Sequence, residues 1–153
     1  MKEMNERLQI DYWDTINLET LHYHSREWLS EIDFWKDELR FMQNLLQKHF
    51  LFFFEKEGVT AVNELTTRLS STLTEGLNQL EQDVQLHEKR LVALIKSSKK
   101  QREDAYRMEH GQLEDRLNQY AKHFKKVKRE LFKMAEAVLK EEKMKFLAKS
   151  TKT

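Results

Sequence analysis

The sequence predicts an all-α protein, an elongated antiparallel three-helix bundle with coiled-coil-like seams and a short N-terminal arm. Three observations carry this expectation. The 153 residues include no proline and only three glycines, Gly58, Gly76 and Gly111, so the chain has few places to turn. Charged residues make up 35% of the chain, a share suited to helices with solvated outer faces. Over long stretches the apolar residues recur at steps of three and four, the spacing of one helix face.

The first helix is expected over about residues 16–56. Its seam runs Leu18, Leu21, Ser25, Trp28, Ile32, Trp35, Leu39, Met42, Leu46, His49 and Phe53, and nine of these eleven positions are apolar. A neighbouring stripe of Phe34, Phe41, Leu45 and Phe52 implies cover on a second side. Upstream the phase fails at Asp14 and Asp11, which makes residues 1–14 a separate arm. Gly58 suits the left-handed backbone that stops a helix, and Thr60 is a reasonable N-cap for a second helix over 60–96.

That second helix carries a plain aliphatic stripe: Val62, Leu65, Leu69, Leu73, Leu77, Leu80, Val84, His87, Leu91 and Leu94. The stripe dissolves after Ile95 into polar residues, where Ser98 and Gln101 fit a capping box. A tight turn here opens a third helix over 99–148, with the alternative that helices two and three form one continuous rod. The third seam is Tyr106, His110, Leu113, Leu117, Tyr120, Phe124, Val127, Leu131, Met134 and Val138, before a polar tail at 150–153. Residues 15–149 then form one bundle domain. Similar lengths and short connections imply antiparallel neighbours.

Several function classes drop out. Without cysteine there is neither a disulfide framework nor a thiolate metal site. The longest apolar run is Phe50–Phe54, far short of the roughly 20 residues a spanning helix needs. No apolar stretch follows the first residues, so a secretory signal is not expected and the cytoplasm is the default setting. The scattered glycines build no phosphate-binding loop, and no nucleophile constellation is visible.

Charge separates along the chain. Residues 1–60 hold seven basic against twelve acidic side chains, whereas residues 96–153 hold seventeen against nine. One reading is a basic face for nucleic acid or an acidic partner, formed by Lys122, Lys125, Lys126, Lys128, Arg129 and Lys133. The plainer reading pairs acidic helix one with basic helix three across their groove.

Two segments could carry chemistry, His22–Trp28 and Tyr106–Glu114. Imidazoles and carboxylates three or four residues apart share a helix face, and bundle metal sites are built from such ligands on facing helices. Folding about the two expected turns collects His24, Glu27, His87, His110 and Glu114 at one level. This donor set suits zinc, iron or manganese. The duplicated Glu-x-x-His motif of di-iron bundles is missing, and the plainer reading is a buried polar layer that sets register. His49 reads as a core histidine on an aromatic face. Phe50, Phe52, Phe53 and Phe54 cover more than one helix face, which offers a surface for a protein partner or a second copy of the chain. The acidic flanks Glu55 and Glu57 argue against membrane docking.

The segments Glu27–Leu39 and Tyr106–His110 resemble those of small all-helical bacterial proteins. The resemblance implies a helical fold and a cytoplasmic setting; it implies no activity and carries over no functional residue. The sequence thus points to a non-enzymatic helical bundle acting through protein contacts, possible homodimerisation included. A metal-binding bundle and a nucleic-acid or acidic-partner binder are the alternatives.

Overall fold

The computed structural model describes residues 16–96 and 99–150, and among them all regular structure is helical. The expected arm at 1–14, the Ser98 cap and residues 151–153 of the tail lie outside the described residues.

Helix α1 spans Leu18–Lys48. Asn17 starts it: the side-chain Oδ1 accepts the Thr20 N–H at 2.8 Å and the carbonyl accepts that of Leu21 at 3.2 Å. At His49 the helix is interrupted for one residue before α2, Phe50–Glu57. The His49 N–H still donates to the Leu45 carbonyl at 3.3 Å, and the His49 carbonyl accepts from Phe53 at 3.0 Å, so the chain continues its course. Gly58 ends it, at φ 86° and ψ 163°, in a region essentially reserved for glycine. A Cβ there would meet nothing within 4 Å, so the constraint lies in the backbone and not in space. Gly58 also occupies the N-cap position of α3, Val59–Thr67, with no side-chain cap bond. Thr60, expected as the cap, lies inside that helix.

Between α3 and α4 (Gly76–Lys96) the backbone widens into a π-helix over Arg68–Glu75. The stripe of the second helix explains it. From Val62 to Leu94 the steps read three, four, four, four, three, four, three, four, three. Three consecutive fours exceed what an α-helix can hold on one face. A turn bonded i to i+5 absorbs the surplus residue. Leu65, Leu69, Leu73 and Leu77 consequently all stay at 1% exposure or less. The Thr74 hydroxyl donates to the Leu69 carbonyl five residues back at 2.7 Å.

Helix α5 spans Lys100–Ser150, and the Lys99 carbonyl accepts the N–H groups of Arg102 and Glu103 at 3.0 and 3.1 Å. The chain divides into two compact units, one of residues 1–35 and 76–121 and the other of residues 36–75 and 122–153. Their charges are opposite. The first holds eleven basic and sixteen acidic residues, a balance of −5; the second holds sixteen and ten, a balance of +6.

Within the first unit, Leu21, Leu91, Leu94 and Tyr106 form one buried cluster, with Ile16 and Leu18 packed on it. In the same unit His22 Nδ1 lies 2.6 Å from a Glu88 carboxylate oxygen, and Arg116 forms a salt bridge with Asp83 at 2.8 Å. Trp35 and Tyr120 pack with ring centroids 4.9 Å apart. Within the second unit the core is Leu39, Met42, Leu46 and Phe53 from the first helical run, Val62 to Leu73 from the second, and Phe124 to Val138 from α5. Salt bridges run from Arg68 to Glu130 and from Lys128 to Glu38, both at 2.6 Å.

The expected cover on a second side of the first helix is absent at Phe34 and Phe41, which are 60% and 59% exposed. Only the arc centred on the main seam is buried, and these positions are rotated out of it.

Candidate functional site

The first unit buries polar side chains in one layer. Ser25, His87 and His110 have no exposed surface, and Arg107 retains 8%. Ser25, His87 and His110 sit on seam positions that an aliphatic side chain would ordinarily fill. Ser25 satisfies itself locally, donating to the Leu21 carbonyl at 3.2 Å.

The two histidines form a chain. His87 Nδ1 lies 2.6 Å from Glu109 Oε1, and His87 Nε2 lies 2.9 Å from His110 Nδ1. A carboxylate only accepts, so His87 Nδ1 carries the proton and donates to Glu109. His87 Nε2 is then the acceptor, and His110 Nδ1 donates to it. Arg90 in turn holds the other oxygen of Glu109. Aromatic rings wall the layer: Tyr106 stacks parallel on His87 at 4.1 Å, and Trp28 lies 4.3 Å from the His110 ring.

Electrostatics keep both imidazoles neutral. Burial lowers the pKa of His87, outweighing the Glu109 carboxylate that raises it. Burial, followed by the charges of His87, His24 and Arg107, takes His110 down to about 3. Burial and the Glu88 carboxylate push the Tyr106 hydroxyl well above the ordinary tyrosine value, against the nearby Ser25 hydroxyl. The buried Arg107 guanidinium donates to the Ile16 carbonyl and to Glu103 Oε1, the latter at 2.9 Å from Nη2.

Of the five residues expected to share a metal, the structure brings together the histidines. His24 lies 5.7 Å from His110 between ring centroids. Glu114 is close enough to His24 to feel its charge, although burial raises its pKa overall. Glu27 stays outside. It lies two residues beyond buried Ser25, so it is rotated about 200° round the helix from the core, and it is paired instead with exposed Tyr23. At the level of Glu88 the first helix presents His22. Among the described residues no group of three His, Asp or Glu side chains is arranged to hold a metal ion. His87 has already committed both ring nitrogens to Glu109 and His110.

The residue that sequence reasoning missed is Glu109. Its only signal was its place beside His110, opposite His87 by the same level count that brought the histidines together. His49, read as a core histidine, is only partly buried, with Nδ1 3.3 Å from Glu142.

The second unit holds the other two expected surfaces. Phe53 is fully buried and leaves the expected partner surface for the core. Successive residues turn about 100° round a helix, so this apolar run cannot share one face. Leu51 points out at 74% exposure, Phe50 is 39% exposed with its ring 4.0 Å from that of Phe54, and Phe52 lies under Lys145 Nζ at 5.2 Å. On the basic face, Lys128 turns away to Glu38, while Lys122, Lys125, Lys126, Arg129 and Lys133 are all exposed. Among the described residues no helix is long and apolar enough to cross a membrane.

No protein-family model, characterised protein or solved structure matches this chain.

Proposed function

We propose that this is a non-enzymatic helical protein of the cytoplasm that acts through protein contacts, its helical runs packed as an antiparallel three-helix bundle. The cross-helix pairs within each unit support that packing. The contact surface is assigned to the second unit and its occupant to a second copy of the chain.

The observation that carries this reading is a line of exposed apolar side chains on α5. Phe132, Leu139 and Phe146 recur every seven residues and are 40%, 46% and 69% exposed. The Lys128–Glu38 pair holds α1 beside α5 just before this line, and Phe41, 59% exposed, follows Glu38 by one turn. Apolar residues at heptad spacing on neighbouring helices form the kind of seam into which a further helix packs. A two-fold pair of identical subunits supplies such a helix from the same patch. The buried histidine layer takes no part in this role beyond fixing which helix faces meet.

Sedimentation velocity over a range of protein concentrations tests the reading. The full chain is expected to dimerise, and a Leu139→Glu/Phe146→Glu variant is expected to remain a folded monomer. A parent chain that stays monomeric at every concentration would overturn the homodimer.

A further inference from the structure

The expectation that the acidic first helix neutralises the basic third one is met at Lys128, which holds Glu38 at 2.6 Å. It fails one face further round α5. Lys122, Lys125, Lys126, Arg129 and Lys133 are exposed, and none of them forms an ion pair among the described residues. They surround an open hollow of ≈ 400 Å³ whose one acidic neighbour, Glu130, is already held by Arg68 at 2.6 Å. At about 100° per residue, the five positions fall within one arc of the helix, a line opposite the buried seam of Phe124, Val127 and Leu131. Like charges at this spacing repel, so the line weakens its own helix. An anionic partner would relieve that repulsion.

We propose that this line is a binding site for the phosphate backbone of nucleic acid, read without regard to base sequence. The dimensions fit. From Lys122 to Lys133, eleven steps of 1.5 Å along the helix cover roughly 17 Å. Over that axial length one strand of a duplex presents about five phosphates, at 3.4 Å each. The chemistry fits as well. Four of the five cations are lysines, compact point charges suited to phosphate contacts, and no amide side chain stands within the line to read base edges. A membrane surface is the poorer occupant, because Phe124, Val127 and Leu131 of this helix segment are buried in the core, which leaves Phe132 as its one exposed large apolar side chain, too little to anchor in a bilayer. The whole-chain balance of +1 conceals the site, since the +6 of this unit is cancelled by the −5 of the other.

The test is fluorescence anisotropy of the full chain with a labelled random-sequence duplex, titrated across salt concentrations. Five phosphates neutralised predict a log–log salt slope near −4.5, or a loss of roughly 500-fold in affinity between 50 and 200 mM salt. A Lys125→Glu/Arg129→Glu variant, its helicity checked by circular dichroism, is expected to bind at least tenfold more weakly with a slope shallower by about two. A Lys89→Glu/Lys96→Glu control, altering exposed cations of the other unit, is expected to keep the parent slope. The proposal is overturned if the duplex does not bind at low salt, or if the Lys125/Arg129 variant binds as the parent does. It is overturned equally if anionic phosphatidylserine vesicles capture the protein while the duplex does not.

Discussion

The first unit places a hydroxyl, two imidazoles and a guanidinium among its buried side chains, and its net charge is −5; the second unit buries no polar side chain among its described residues, and its net charge is +6. Both are built from the same helical runs, and in both the seams are steps of three and four, with the surplus of consecutive fours in the second unit taken up by the π-helix. The spacing therefore decides which side of each helix goes inside, and the residue types then give the two interiors different properties. An apolar core tolerates volume-conserving exchange of its side chains. A layer in which His110 must meet His87 and His87 must meet Glu109 accepts only one register, because any other leaves desolvated nitrogens without their bonds. The outer faces differ in the same way, and the unit with the plain interior carries the exposed cations of α5 and its exposed Phe132, Leu139 and Phe146.

The largest expected effect lies in the apolar core. Phe53→Ala removes a fully buried ring and should cost about 3–5 kcal/mol in urea unfolding, whereas Leu51→Ala, two residues away and 74% exposed, should stay within about 0.5 kcal/mol of the parent. Equal costs at the two positions would mean that the Phe50–Phe54 run is not divided between core and surface.

In the polar layer the expectation is non-additivity. His87→Leu strands the buried Nδ1 of His110, at about 1–3 kcal/mol for an unsatisfied buried group, while part-exposed Glu109 keeps Arg90 and can turn to solvent. A His87→Leu/His110→Leu double substitution removes most of the stranded partners, so it should cost less than the sum of the two single changes by on the order of 1 kcal/mol. Strict additivity in denaturant melts would show that the imidazoles do not act as a pair.

Acid should distinguish the two interiors next. Folding lowers the pKa of His87, and takes that of His110 from 6.5 to about 3. On acidification the unfolded chain thus takes up these protons before the folded one does. The contribution of the layer is complete above about pH 6.5 and is lost as the pH falls towards 3, by at most about 1.4 kcal/mol per pH unit for each histidine. Between pH 6.5 and 5, where most carboxylates remain ionised, stability should fall in the parent and fall much less in the double leucine variant. Parallel curves for the two proteins would remove the layer as the acid-sensitive element.

Much of this was legible in the sequence. The seams named the buried positions, the balance of residues named the fold class, and the level count brought His24, His87 and His110 together. What a level count omits is rotation, which is why Glu27 was placed in the layer and His22 and Glu109 were not. Phe53 and the four aromatic or aliphatic residues around it show the same limit, since a run of apolar residues says nothing of which one faces inward until the seam on either side fixes the phase. The basic face was legible as composition. That only Lys128 of the six pairs among the described residues was not, because pairing depends on which of the neighbouring cations points at Glu38.

The smallest expected effect concerns the π-helix, and it tests whether seam spacing alone dictates backbone form. Deleting Ser71, an exposed residue between Leu69 and Leu73, turns the middle step of four into a three. The stripe from Val62 to Leu94 then alternates three and four without interruption, which a plain α-helix holds on one face. The surplus residue that the i to i+5 turn accommodates is gone, and so is the reason for the turn. The variant should keep its helicity, lose the wide turn in an amide-exchange or NMR assignment of residues 68–75, and differ from the parent by no more than about 1 kcal/mol, the scale of ordinary surface changes. Deleting Glu81 instead, within the regularly alternating part of the stripe, displaces every later seam residue by about 100° and should unfold the first unit's side of the helix. If the Ser71 deletion proved as damaging as the Glu81 deletion, the wide turn would be held by something other than the spacing, with the Thr74 hydroxyl bond to Leu69 the first place to look.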